Sequence, residues 1–227
     1  MKKHIILLVF VLTALTLSAQ TSAPDTLRIA QGAQAQLAAL LEKPAMAKAA
    51  IADPLGRNWF KLENDAHVFT EQVSARQVAA ALLDLENYGR FFNGDKSKLS
   101  ASNINRGAQE TIVDFVSTAI IPVIKIQLRT PYRSANRVIT STNTIFAIEM
   151  KQIPQDSETN RDIKNMYASR YVEEVSIGGR KYTYIRTYSI ADVNASILPG
   201  AKNALERNSA PANEEALFML IDAAKSK

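Results

Sequence analysis

The chain has 227 residues, of which 47% are hydrophobic, 22% are charged and none is cysteine, and its formal net charge is +5. That length and hydrophobic share suit one sizeable domain or two small ones and exclude a chain disordered throughout. The lack of cysteine excludes disulfides, thiolate metal sites, a cysteine nucleophile and a lipid-modified cysteine anchor. The charges are scattered without a basic run, so nucleic acid is not an expected partner.

Met1 to Ala19 reads as a secretory signal peptide. Lys2 and Lys3 give the basic start, Ile5 to Leu17 the apolar stretch, and Leu17-Ser18-Ala19 a cleavage site, with Thr21-Ser22-Ala23 as a second candidate. The apolar run is shorter than the ~20 residues a spanning helix needs. Losing Lys2 and Lys3 lowers the net charge from +5 to +3. The expected product is exported, either periplasmic or secreted. Residues 20–56 form an expected helical N-terminal extension. The Ala- and Gln-rich stretch Asp25 to Leu41 predicts one helix, and Pro44 ends it or begins a second over Ala45 to Ile51. Such helices pack on the outside of a domain or bind a partner. Residues 57–227 form the remaining domain.

Asp53-Pro54-Leu55-Gly56 is a turn, and Asn58 to Leu62 and His67 to Val73 read as two strands around Glu63-Asn64-Asp65. Ser74 then caps a short helix, with Gln77 at capping-box spacing and Val78, Leu82 and Leu85 as its apolar stripe. Tyr88, Phe91 and Phe92 lie between the breakers Gly89 and Asn93-Gly94 and need a shared pocket. Five strand-like runs follow: Leu99 to Asn105, Gln109 to Thr118, Val123 to Arg129, Asn136 to Ser141 and Thr144 to Ile153. Their short spacing predicts consecutive antiparallel pairing. Pro154 to Asn165 is polar, has no period and reads as a long loop.

Tyr171 to Ile190 is the clearest hairpin, with Gly178-Gly179 as its turn. A two-residue turn sets Val175 opposite Tyr182, Glu173 opposite Tyr184 and Tyr171 opposite Arg186. One face then carries Tyr171, Glu173, Val175, Tyr182, Tyr184, Arg186 and Tyr188. The other carries Val172, Glu174, Ser176, Lys181, Thr183, Ile185 and Thr187. The aromatic face is expected to be the interior one, because aromatics bury more area. Ile197-Leu198-Pro199-Gly200 breaks the pattern, and a short helix follows over Ala201 to Arg207. Ser209 then caps a last helix with Pro211 in its first turn and Leu217, Leu220, Ile221 and Ala224 as its stripe.

Ala75, Val78, Leu82, Asp84, Tyr88 and Phe91 lie after a strand and before a strand series that ends in a helix. In these residues, and from Trp59 to the C-terminus, the chain resembles the START-like (SRPBCC) superfamily. The resemblance implies an α+β helix-grip fold, a curved antiparallel β-sheet wrapped around a long C-terminal helix that closes a cavity. It is chiefly structural and says little about activity.

The mature chain keeps a single histidine, His67, and no nucleophile motif accompanies it. Zinc is not expected with one histidine and no cysteine, and no glycine-rich phosphate loop is present. Glu173 and Arg186 among the tyrosines suit a ligand's polar head, an acid/base pair of the kind the resemblance to polyketide cyclases allows, or an ion pair of purely structural use. The expected ligand-binding set is Tyr171, Glu173, Tyr182, Tyr184, Arg186 and Tyr188 from the hairpin, Phe115, Phe146 and Ile148 from neighbouring strands, and Leu217, Leu220 and Ile221 from the last helix. No catalytic or metal-binding residue is assigned. The expected function is an exported carrier of a lipid or other hydrophobic ligand, needing no cofactor and admitting a transient membrane contact. An enzyme of cyclase or hydrolase type in the same cavity, and a non-catalytic structural domain, are the alternatives.

Overall fold

Eight antiparallel strands form one sheet in the order β1-β2-β8-β7-β6-β5-β4-β3, so the second strand pairs with the last and all other neighbours are consecutive. The computed structural model describes residues 45–52, 59–121, 126–154, 163–194 and 201–227. The signal peptide, the helix over Asp25 to Leu41 and the breaks at Asp53 to Gly56 and Ile197 to Gly200 lie outside the described residues. The strands are β1 (Ala45–Ala52), β2 (Trp59–Thr70), β3 (Ser97–Arg106), β4 (Thr111–Ile121), β5 (Ile126–Ser141), β6 (Ile145–Gln152), β7 (Ile163–Ile177) and β8 (Arg180–Asn194). Helix α1 (Ala75–Leu83), a 3-10 turn (Leu85–Asn87) and α2 (Tyr88–Phe91) lie between β2 and β3, and α3 (Ala201–Lys225) ends the chain. This is the α+β helix-grip arrangement, a curved antiparallel sheet around a long C-terminal helix.

The start of α1 follows the sequence closely. The Ser74 hydroxyl accepts from the Gln77 amide, and the Gln77 side chain accepts from the Ser74 amide at 2.9 Å. Val78, Leu82 and Leu85 are buried against the sheet. The carboxylate of Glu174 on β7 accepts from the Ala75 amide at 3.1 Å, placing a negative charge at the positive end of α1. Tyr88 and Phe92 share a buried pocket, and the Tyr88 hydroxyl donates to the Leu82 carbonyl at 2.7 Å.

Several boundaries differ from the expectation. Ala45–Ala52 is a strand, not a helix, paired with β2 from Ala45 opposite Val68 to Ala52 opposite Lys61. Alanine's helix preference amounts to a few tenths of a kcal/mol per residue, and a full edge ladder outweighs it. Trp59–Thr70 is one strand: the turn-forming Asn64 and Asp65 are held extended because Glu63-Asn64-Asp65 pairs in register with Ile190, Ser189 and Tyr188 of β8. Ile126 to Arg129, the described part of the run expected over Val123 to Arg129, and the run Asn136 to Ser141 belong to one strand, β5, which passes through Pro131. Pro131 faces Val116 of β4, whereas the β6 ladder begins only at Ser134, so the missing amide is tolerated on a locally unpaired edge. Ile163 to Asn165 extend β7 into the expected loop. Asn165 sits at a register shift with φ +51° and donates its side-chain amide to Asp192 at 2.7 Å. The two helices expected after Gly200 are one, α3, which runs through Pro211. A proline there costs the hydrogen bond to the carbonyl four residues back, that of Arg207, which is exposed to water.

Candidate functional site

The β7–β8 hairpin fixes which face of the sheet looks at α3. Its turn is Gly178-Gly179, with φ of +57° and +81°, the geometry a two-residue primed turn requires. Val175 lies opposite Tyr182, Glu173 opposite Tyr184 and Tyr171 opposite Arg186, the register read from the sequence. The assignment of its faces is reversed. Val172 and Ile185 pack with Ala66, Val68, Phe146 and Ile148 beneath α1 and α3, and both are fully buried. Tyr171 and Tyr184 pack instead with Phe69 and Ala147 in a separate cluster on the opposite face, with Tyr182, Tyr188 and Val175 at its edge. Val172 and Ile185 have no polar atom to satisfy, and the polar members of their row find partners there: Glu174 accepts from the Ala75 amide and the Thr183 hydroxyl donates to the Val73 carbonyl. The tyrosine hydroxyls and charges need partners and find them on the other side.

Those partners account for the charges that the sequence offered as a ligand's seat. Arg186 makes a two-pronged ion pair with Asp65 of β2, at 2.8 Å and 2.7 Å. Glu173 accepts from the Tyr171 hydroxyl at 2.7 Å. Hydrogen bonding to Asp65 raises the affinity of Arg186 for its proton. Burial pushes the Tyr184 phenol up to about 12. His67 lies on this outer face between Phe69 and Tyr184, with ring centres 6.4 Å and 5.9 Å away.

The cavity lies on the inner face, between the sheet and α3, and has a volume of about 540 Å³. Leu62, Leu99, Met150, Ala191 and Val193 line it from the sheet, Phe92 from the segment after α2, and Leu205, Ala216, Met219 and Leu220 from α3. An aromatic stack backs one wall: Tyr132 lies on Phe115 at 5.5 Å, Phe115 meets Tyr88 at 5.9 Å, and Tyr88 meets Phe92 at 4.9 Å. Lys96, whose amide donates to Glu215 of α3, is exposed and borders the cavity at its mouth.

Of the residues expected to bind ligand, Leu220 lines this cavity, and Tyr188 borders it from β8 while its ring packs on the far face. Phe115, Phe146, Ile148, Leu217 and Ile221 belong to the packed core on the same side of the sheet. Tyr171, Glu173, Tyr182, Tyr184 and Arg186 lie on the far side, so the structure does not bring the two halves of that set together. Sequence reasoning passed over the polar groups that do line the cavity. The Asn64 side chain donates to the Ser189 hydroxyl at 3.3 Å, while its own carbonyl oxygen is buried without a hydrogen-bond partner. Arg170 and Tyr132 also line it. Among the described residues the lining contains no Asp or Glu.

An antiparallel sheet gripping one long C-terminal helix, with an apolar cavity between them, defines a helix-grip domain of the START-like kind. No family model matches the sequence, and neither does any curated protein. Solved structures do match. The human StAR-related lipid transfer protein 5 is similar over 86% of this chain and 98% of its own, with a TM-score of 0.51 and 9% identity. A hypothetical protein from Helicobacter pylori is similar over 71% of this chain and 84% of its own, with a TM-score of 0.44 and 12% identity. At such identities the likeness to the human protein speaks for the fold.

Proposed function

We propose that the protein is an exported carrier that holds a lipid or other hydrophobic molecule in the cavity between the sheet and α3. The observation that carries this reading is the cavity itself. Its volume of about 540 Å³ lies within the range of small-molecule sites. Its wall surface is mostly apolar, and its polar groups come from the strands and from α3. The fold shared with a lipid transfer protein agrees with this reading but names no ligand. Export rests on the basic start, apolar run and small residues of Met1 to Ala19. The chemistry asked of the site is burial and orientation, for which no cofactor is required.

Mass spectrometry of an organic extract from protein purified out of its native host tests the reading. A reproducible bound lipid is expected. An extract indistinguishable from that of a control protein, together with failure to bind a fluorescent fatty acid, would overturn it. N-terminal sequencing of the soluble form tests export, with a start at or near Gln20 expected. An intact Met1 would count against it.

A further inference from the structure

We infer that the cavity selects amphiphiles with an anionic head, held by the guanidinium of Arg170 and the hydroxyl of Tyr132. This deepens the carrier reading and rests on it. Among the described residues, four basic ones, Lys96, Lys98, Arg129 and Arg170, border the cavity, and no acidic one does. Strand alternation separates them. Lys98, Thr118 and Arg129 form one cross-strand row, out of step with the inward row of Phe115 and Tyr132. Lys96 stays at the mouth. Arg170 lies on β7 opposite Thr187 of β8 and Ile148 of β6, in the inward row, so it is the cation inside.

A half-buried arginine ordinarily has a carboxylate partner. Arg170 has none among the described residues. Its guanidinium donates to the thioether sulfur of Met150, a weak acceptor that leaves most of its five N–H groups unused. Tyr132 is only 8% exposed, lines the same cavity and has no hydrogen-bond partner for its hydroxyl among the described residues. Burial pushes that phenol up to about 12, and the positive charge of Arg170 is near enough to oppose the shift. The hydroxyl is therefore a donor throughout the neutral range. One planar fork, spent only on a weak sulfur acceptor, and one hydroxyl free to donate suit a carboxylate, sulfate or phosphate head, while the guanidinium charge repels a cationic one. The apolar walls beyond them take the tail.

The test is displacement of a fluorescent fatty acid by four ligands of one chain length: the carboxylate, the alkyl sulfate, the primary alcohol and the alkylammonium. In the wild-type protein both anions are expected to bind about ten- to hundredfold more tightly than the alcohol, and the ammonium most weakly. Arg170→Met keeps the apolar stem and should abolish the preference for anions over the alcohol while leaving alcohol binding near the wild-type value. Tyr132→Phe keeps the stack on Phe115 and should reduce anion affinity by a smaller factor. Arg170→Lys retains charge without the fork and should give an intermediate preference. It carries the comparison if Arg170→Met fails to fold by circular dichroism. Wild-type protein that binds acid and alcohol equally, or an anion preference that survives in Arg170→Met, overturns the inference and leaves the carrier reading standing. Failure of all four ligands and the probe to bind overturns both.

Discussion

Arg186 and Asp65 are bound to each other diagonally across the β2–β8 ladder, through two hydrogen bonds of 2.8 Å and 2.7 Å, on the face of the sheet turned away from the cavity. A fork spent on a carboxylate outside the cavity has no part in holding a ligand within it. Arg186→Met should therefore destabilise the protein by about 1–2 kcal/mol, between the limits for exposed and fully buried pairs. The double variant Arg186→Met with Asp65→Asn should bind acidic and neutral lipids with wild-type affinities. Denaturation midpoints and displacement titrations on the same preparations separate the two effects. Altered selectivity in the double variant would return Arg186 to the ligand site.

Leu82 is 1% exposed and wedged between α1 and the sheet. Leu82→Ala removes a buried isobutyl group and leaves a cavity that the sheet cannot collapse to fill. The expected loss is about 2–5 kcal/mol. An unchanged urea midpoint would mean that α1 contributes little packing.

The parts of the fold that rest on local chemistry were legible in the sequence. The Ser74–Gln77 box, the Gly178-Gly179 turn and the hairpin register follow from residues within a few positions of one another. What was not legible depended on distant partners. Ala45–Ala52 becomes a strand only because β2 offers it an edge, and Pro131 is tolerated only because β6 stops short of it. The face of the hairpin turned toward α3 was assigned wrongly for one reason. Alternation divides the hairpin into two rows without saying which is inward, and area favoured the tyrosines. Polar satisfaction favours the Val172 and Ile185 row, and Arg170 belongs to that row. Arg170 stands two residues before Val172 in that row, and its charge beside Val172 and Ile148 is the signal that would have found it.

Asp114 of β4 and Arg133 of β5 form a second fork, at 2.5 Å and 2.8 Å. The hydrogen bonds from Arg133 hold the Asp114 carboxyl below its ordinary range, against a smaller opposing effect of burial. A depressed folded pKa means that the unfolded chain binds the proton more readily. The stability this pair adds is present in full above the unfolded value near pH 4 and is lost as pH falls through the folded one. Asp114→Asn should therefore be less stable than wild type at neutral pH and should lose less stability on acidification, the two curves converging as pH falls through the lowered folded value. Urea midpoints measured from pH 6 downward check this. Parallel curves for the two proteins would show that the pair is not linked to folding.

Glu215 of α3 closes the other end of the grip. Its carboxylate accepts from the amides of Asp95, Lys96 and Ser97, at 3.0, 3.0 and 3.1 Å, and so pins the helix to the loop before β3, beside the cavity mouth. The seat is tight: a Cβ added at Gly94 would lie 2.4 Å from one carboxylate oxygen. Because that oxygen ends a flexible side chain, the clash itself is cheaply relieved. The cost of Gly94→Ala is then the loss of the three amide bonds as Glu215 swings away. Both Gly94→Ala and Glu215→Ala should lower stability by about 1–2 kcal/mol, the worth of hydrogen bonds to a charged group at a partly exposed site. Since both changes break one contact, they should not add. Gly94→Ala placed in the Glu215→Ala background should cost only a few tenths of a kcal/mol, a coupling that a double-mutant cycle reads directly. Additive losses would mean that Gly94 matters for its own backbone, and that the Glu215 carboxylate does not depend on the space the glycine leaves.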